Sequence, residues 1–281
     1  MFIDTHCHLD IMVRWKKNKG AGPCCREIEL SEIELIVKES SDAGVTQLLT
    51  IGTSAQNSIE VVDIASRFDG VWAVVGIHPC DCSEAWARDL DNIKKLVKNK
   101  KESKKENKIV GIGETGLDFY HKPFFKQRQI DAFKGHIECA IENDLPIVLH
   151  VRESAQEALK VLEEYKGQVR GVAHCFFQKR DIADVLIDFG FYLGISAPIS
   201  YPKNEWLRDI IKDIDLKHFL LETDAPFLPP QEFRGKKNHP KYIPLVAQIV
   251  ADVKGISRDE VGRVTSKNAS DLFVLPHKKC D

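Results

Sequence analysis

The chain has 281 residues, with 40 basic against 42 acidic side chains and a formal charge of −2. Its 43% apolar and 29% charged residues are those of an ordinary globular protein, which excludes global disorder, a collagen-like repeat and a coiled coil. The balanced charge excludes nucleic-acid binding by bulk electrostatics, so such a ligand would need a local basic patch or metal ions. No apolar run approaches the ~18 residues of a bilayer span, and no membrane partner is expected. Residues 1–8 carry neither a basic region nor a long apolar core and do not read as a secretory signal. Cys7, Cys24, Cys25, Cys80, Cys82, Cys139, Cys175 and Cys280 are scattered, lack C-x-x-C spacing and are expected to be reduced thiols in a cytosolic compartment.

In chain order, eight short apolar runs read as strands: Phe2–Thr5, Thr46–Ile51, Val71–Ile77, Lys108–Ile112, Pro146–Val151, Gly171–His174, Phe191–Ile195 and Phe219–Glu222. Near-continuous apolar stretches are the pattern of buried parallel strands. Helical periodicity fills the gaps, at Ser31–Ala43, Ser54–Arg67, Glu84–Lys98, Phe124–Asn143, Ser154–Tyr165, Asp181–Phe189 and Trp206–Asp213. The first of these opens with Ser-x-x-Glu, a capping-box pattern. Two more helices, Pro240–Lys254 and Ser257–Leu272, follow the last strand. Length alone permits two domains of about 150 residues, but α/β barrels run to 250 residues as one. Eight strand–helix units predict a (β/α)8 TIM barrel with additional C-terminal helices, in a single domain over residues 1–281. An open doubly wound sheet would need a glycine-rich turn after the first strand; here that strand ends in His-Cys-His.

Two stretches interrupt this order. Residues 11–27 carry Arg14, Lys16, Lys17, Lys19 and Arg26 against a single acid, Glu27, and follow the first strand on the face where barrel active sites lie. They are expected to help hold a polyanion. Residues 98–108 hold six lysines and two glutamates. They precede the fourth strand and read as a solvated loop on the opposite face.

The polar residues at the strand ends carry the chemistry. His6 and His8 are two apart on one strand, so their side chains point the same way and suit one metal ion. The third run ends in Gly-Ile-His78-Pro, the fourth in Gly-Glu114-Thr-Gly-Leu-Asp118, the fifth in His150, the sixth in His174 and the eighth in Glu-Thr-Asp224. In a barrel these ends meet at one rim. Asp4 and Asp118 are candidate carboxylates for orienting ligands, with capping or turn roles as the alternative. Arg152 is placed to grip a phosphate or to form a rim salt bridge. His121, His136, His218, His239 and His277 match no strand end and read as surface or packing residues.

The segments FIDTHCHLD, GIHP, GETGLDF, PIVLHVRES, HCF, GFYLGIS, LLETDAPFL and NASDLF resemble the TatD family of metal-dependent deoxyribonucleases, over residues 2–273. The longer 11–27 loop and the lysine-rich stretch depart from the family's usual form. The resemblance implies two divalent ions: His6, His8 and Asp224 on one, His150 and His174 on the other, and Glu114 bridging. The donor types allow zinc, manganese or magnesium, and the family points to magnesium. It further implies hydrolysis of DNA phosphodiester bonds by a metal-activated water, with Asp224 taking the proton. His78, to which it gives no metal role, reads as a donor to a phosphate oxygen or the leaving group, or else as a group that orients a neighbour. The family points to 3′-5′ exonuclease action; the signal-free start and the reduced thiols point to the cytoplasm, with nuclear entry open, and no protein partner is implied. The same cage would also serve an aminoacyl-tRNA deacylase, a lactonase or a cyclic amidase. A non-catalytic DNA- or protein-binding scaffold is the reading from another class, and the intact ligand set speaks against it.

Overall fold

A computed structural model describes residues 1–14, 29–102 and 108–276. Eight strands form one parallel sheet in sequence order: β1 (Phe2–Cys7), β2 (Val45–Ile51), β3 (Val71–Val75), β4 (Ile109–Asp118), β5 (Ile147–Arg152), β6 (Gly171–Ala173), β7 (Phe191–Ile195) and β8 (Phe219–Leu221). The ends of the sheet meet. Cys7 bridges Ala225 in parallel, His8 N–H donates to the Ala225 carbonyl at 2.8 Å, and Asp224 N–H donates to the His6 carbonyl at 2.8 Å. The expected (β/α)8 barrel is therefore the fold.

The helices are α1 (Leu9–Arg14), α2 (Leu30–Asp42), α3 (Ala55–Arg67), α4 (Trp86–Glu102), α5 (Lys126–Asn143), α6 (Ala155–Glu163), α7 (Arg180–Asp188), α8 (Glu205–Asp213), α9 (Ile243–Lys254) and α10 (Arg258–Phe273). Ser54 and Ser257 cap α3 and α10, accepting from the N–H groups of Asn57 and Glu260. The capping box expected at Ser31 is not formed. Helix α2 starts at Leu30 after an extended Glu29 with no side-chain cap, which leaves Ser31 inside the first turn. Helix α1 is an element the sequence reading missed: six residues are too few to show a helical period. Of the 11–27 stretch, residues 11–14 belong to α1 and the remainder lies outside the described residues. Arg14 is not a spare cation, because its guanidinium pairs with both carboxylate oxygens of Glu60 at 3.0 Å. Of the lysine-rich stretch, residues 98–102 extend α4 where a loop was expected, and 103–107 lie outside the described residues. Lys108, at the foot of β4, is buried with its ammonium 4.4 Å from the Trp72 ring centroid.

Two apolar layers hold the barrel. One lies between strands and helices. The other fills the interior with Ile3, Leu49, Ile51, Trp72, Val74, Val110, Val148, Val172 and Leu220, and α10 seals it with Leu272 and Phe273. The barrel floor is thus apolar, and only the opposite end is free to carry polar groups. Phe273 is 2% exposed, and a β-carbon at Gly111 would lie 3.3 Å from its ring. Phe273→Ala is expected to cost about 3–5 kcal/mol, read as a lower urea midpoint with an unchanged slope.

Candidate metal centre

The two strands that aim the central groups are both irregular. In β1 the register with β2 slips between Asp4 and Cys7. In β4 the register with β5 slips between Gly113 and Thr115, so Glu114 has no partner of its own. Such bulges re-aim a side chain beside a site. The sequence reading ended the fourth strand at Ile112. The strand continues to Asp118, and Glu114 lies within it. Gly116 makes the continuation possible: its φ is +139°, and a β-carbon there would strike the His150 carbonyl.

Glu114 is 3% exposed and is surrounded by imidazoles. Its Oε2 lies 3.2 Å from His6 Nε2. Its Oε1 lies 2.7 Å from His150 Nδ1, 3.5 Å from His174 Nε2 and 3.6 Å from His78 Nε2. Burial alone would raise its pKa, but the facing histidines outweigh burial and hold the carboxyl well below the usual range. Asp224 sits just beyond β8 with φ +59°, a left-handed conformation unusual for a non-glycine residue and characteristic of functional sites. Its Oδ1 is 3.4 Å from His8 Nε2 and 3.7 Å from His6 Nε2, and those two nitrogens are 3.3 Å apart. Its pKa is lowered too, because the bond to His8 and the neighbouring histidines overcome burial.

The residues present fit divalent cations. Donors about 2.0–2.1 Å from a tetrahedral ion lie ~3.3 Å apart, close to the His6–His8–Asp224 triangle. The histidines are also anchored from behind, as metal ligands usually are. His8 Nδ1 lies 3.2 Å from the Ile51 carbonyl, His150 Nε2 lies 3.1 Å from Asp118 Oδ2, and His174 Nδ1 lies 3.0 Å from Glu222 Oε1. In each ring the other nitrogen is left facing the centre. His6, stacked on His174 at 3.6 Å, has no partner for Nδ1 among the described residues. Three donor groups of potential ligands meet here: His6 with His8 and Asp224, His78 with Glu114 and His150, and His6 with His174 and Glu222.

All the residues expected at the strand ends are therefore brought together. His78, to which the resemblance gave no metal role, stands 3.3 Å from His150 Nδ1 and shares its carboxylate. Burial pulls its pKa down to about 3, so the ring is neutral. Asp118 takes both roles foreseen for it. Its Oδ1 accepts from the N–H groups of Tyr120 and His121 at 2.9 Å, and its Oδ2 holds His150. Asp4 orients no imidazole ring. It accepts from His6 N–H, Thr223 N–H and the Thr223 hydroxyl, joining β1 to the segment after β8, and burial pushes its carboxyl up to about 8. Arg152 lies exposed at the end of β5 with its guanidinium 4.0 Å from the Tyr120 ring centroid; no carboxylate pairs with it among the described residues.

Glu222 was not singled out by the sequence reading, which took it as the end of an apolar strand. It is fully buried and lies under Gly194, where a β-carbon would collide with its carboxylate. The glycine of Gly-Phe-Tyr-Leu-Gly is the signal that it is there. His121 is likewise more than a surface residue, since its Nδ1 bonds Asp118 Oδ2 at 2.9 Å. His239 lies 3.3 Å from Glu39 at the start of a turn. His277 lies outside the described residues. His136 packs as expected: from α5 its Nδ1 meets the Ala132 carbonyl at 2.7 Å while Nε2 accepts Ile77 N–H at 3.1 Å. It thereby pins the turn that carries His78.

Barrel and donor set define the class: a metal-dependent hydrolase. A model of the TatD related DNase family matches residues 3–274, and the chain belongs to that family. It is 30% identical over 272 residues to an Escherichia coli protein described as uncharacterized metal-dependent hydrolase YcfH, covering 96% of this chain and 95% of the relative. It is 33% identical over 248 residues to the 3′-5′ ssDNA/RNA exonuclease TatD of Erwinia billingiae, covering 86% and 92%. Among solved structures, the Escherichia coli TatD homologue YJJV superposes with a TM-score of 0.86 at 26% identity, over 98% of both chains. No described helix is long and apolar enough to cross a membrane.

The His136 ring generates a pH test. Burial lowers its pKa from 6.5 to about 4, so between those values the unfolded chain binds a proton that the folded chain does not. Stability from this group is complete above pH 6.5 and is lost as pH falls towards 4, by about 3 kcal/mol in total. His136→Phe is expected to cost about 1–3 kcal/mol at pH 7.5 by orphaning Ile77 N–H. The gap from wild type is expected to narrow in urea melts at lower pH. A gap that widens on acidification would show that the ring is charged when folded.

Proposed function

We propose that the whole chain acts as one hydrolase domain that cleaves phosphodiester bonds of DNA from the 3′ end, in the cytoplasm, using two divalent cations. The observation that carries this reading is the split of Glu114: one oxygen faces His6, and the other faces His150, His174 and His78. That is the arrangement of a carboxylate shared by two ions. His6, His8 and Asp224 would hold one, and His150 and His174 the other, with magnesium the ion in function. Bound there, the cations would polarise the phosphate and make water a stronger nucleophile.

The chain's own groups do the rest. Asp224, held ionised, accepts the proton of the attacking water. His78, neutral and with Nδ1 engaged by Cys80 N–H at 3.1 Å, presents Nε2 as a donor to a phosphate oxygen or the leaving group. Arg152 is free to take a second phosphate in bidentate fashion. The rim also favours a polynucleotide over a small lactone or amide. Tyr120, Phe177, Trp206 and Phe227 are 50%, 44%, 38% and 36% exposed, and all follow the C-terminal ends of strands. Exposed rings at an active-site mouth stack bases at about 1–3 kcal/mol each, whatever the sequence. The Erwinia relative's name points to the same substrate class.

Hydrolysis of labelled single-stranded DNA is expected to stop in excess chelator and to return with magnesium. Glu114→Ala is expected to abolish it and to reduce bound metal, with the circular dichroism spectrum retained; turnover surviving both chelator and this variant would refute the two-ion reading. Asp224→Asn keeps an oxygen donor but not a proton acceptor. It is expected to lower kcat by about 10² to 10⁴ with little change in KM. A loss confined to KM would make Asp224 a binding residue only.

A further inference from the structure

Beside the central cluster, and outside the ligand set above, three donors of mixed chemistry meet at the barrel rim. Cys80 Sγ is 3.6 Å from His121 Nδ1, which is 2.9 Å from Asp118 Oδ2, and all three atoms lie within 4.8 Å of one another. They come from two separate loops. Cys80 stands in the turn Pro79–Asp81 after β3, and His121 follows β4. Both loops are pinned, Cys80 by its N–H to His78 and His121 by its N–H to Asp118 Oδ1. Cys80 is exposed and the His121 side chain is 52% exposed, while Asp118 is buried. A cation could thus arrive from solvent without displacing the fold. Cys82 takes no part, since its Sγ turns inward to the Arg128 carbonyl at 3.7 Å.

We propose that Cys80, Asp118 and His121 form a further cation site, selective for a thiophilic divalent ion such as zinc, whose occupation slows the hydrolytic centre. A thiol, an imidazole and a carboxylate with a fourth position open to water match zinc or cobalt and not magnesium. The spacing agrees: a sulfur at about 2.3 Å and a nitrogen at about 2.0–2.1 Å from a tetrahedral ion are ~3.5 Å apart. Binding displaces the thiol proton to solvent, so the ion is held by thiolate, neutral imidazole and carboxylate. The link to the centre is Asp118 Oδ2, which the site shares with His150 Nε2 at 3.1 Å. An ion on that oxygen draws away the acceptor that fixes the His150 ring against Glu114. The site stands on its own donors, and its spectroscopic test is independent of which bond the centre cleaves.

The test uses the full chain, stripped of metal, supplied with excess magnesium and titrated with cobalt(II). The expected result is a near-ultraviolet thiolate-to-cobalt absorption band that rises to saturation with the intensity of one thiolate bond per chain. The band is lost in Cys80→Ser and weakened at least tenfold in apparent affinity in His121→Ala. It is retained in Cys175→Ser, which removes the thiol that Ser196 contacts at 3.2 Å. A band absent from wild type, or persisting in Cys80→Ser, overturns the site. For the coupling, magnesium-supported hydrolysis of single-stranded DNA is titrated with zinc. Inhibition is expected in wild type with an onset shifted at least tenfold in Cys80→Ser; identical inhibition of the two overturns the coupling.

Discussion

The burial of one ionised carboxylate organises the functional end of this barrel. A lone carboxylate in a protein interior would take up a proton instead of remaining charged. Glu114 stays ionised because imidazoles from β1, β5 and the ends of β3 and β6 all reach it. Bringing those four segments to one point is what a closed parallel barrel does, and the bulge in β4 turns the side chain inward at the level where they meet. The carboxylate and the histidines are mutually dependent: without the carboxylate the imidazoles crowd one another, and without them the charge is unsupported.

Asp4 shows the opposite solution two residues before His6. It is as deeply buried as Glu114 but meets hydroxyl and amide donors instead of imidazoles. Burial then prevails and the group titrates near 8, so that at neutral pH it is chiefly a neutral hydrogen-bonding clamp between β1 and Thr223. Two carboxyls a few ångströms from the same strand thus serve charge and architecture separately, and the difference lies in what faces them. The supporting carboxylate Asp118 belongs to the first kind, and Glu222 takes the same place behind His174 that Asp118 takes behind His150. Each stands behind a histidine and fixes which nitrogen looks inward.

Most of the fold could be read in the sequence, because parallel strands buried on both faces leave uninterrupted apolar runs and helices leave a different period. The histidines and Glu114 could be read because each closes such a run. What escaped lacked either signature. Helix α1 is shorter than two turns. The continuation of β4 runs through Gly113, Glu114 and Gly116, residues that interrupt an apolar pattern instead of extending it. The capping box at Ser31 was a genuine pattern in the wrong register, since the chain turns helical one residue earlier. Glu222 was hidden because its partner His174 is 48 residues away. His121 and Cys80 are 41 residues apart, and only closure of the rim makes them neighbours.

The way the barrel is sealed constrains the order in which it can be assembled. Phe2 packs against α10, where a β-carbon at Gly262 would strike its ring, and the interior layer is finished by Leu272 and Phe273. The first strand and the last helix therefore complete one another across almost the whole chain. While the polypeptide is being synthesised, the strands made first hold apolar faces that have no lid, and their pairing across the seam must wait for residues beyond β8. The strands made first therefore keep part of their apolar surface uncovered until the residues beyond β8 are made, the kind of transient exposure that chaperones shield.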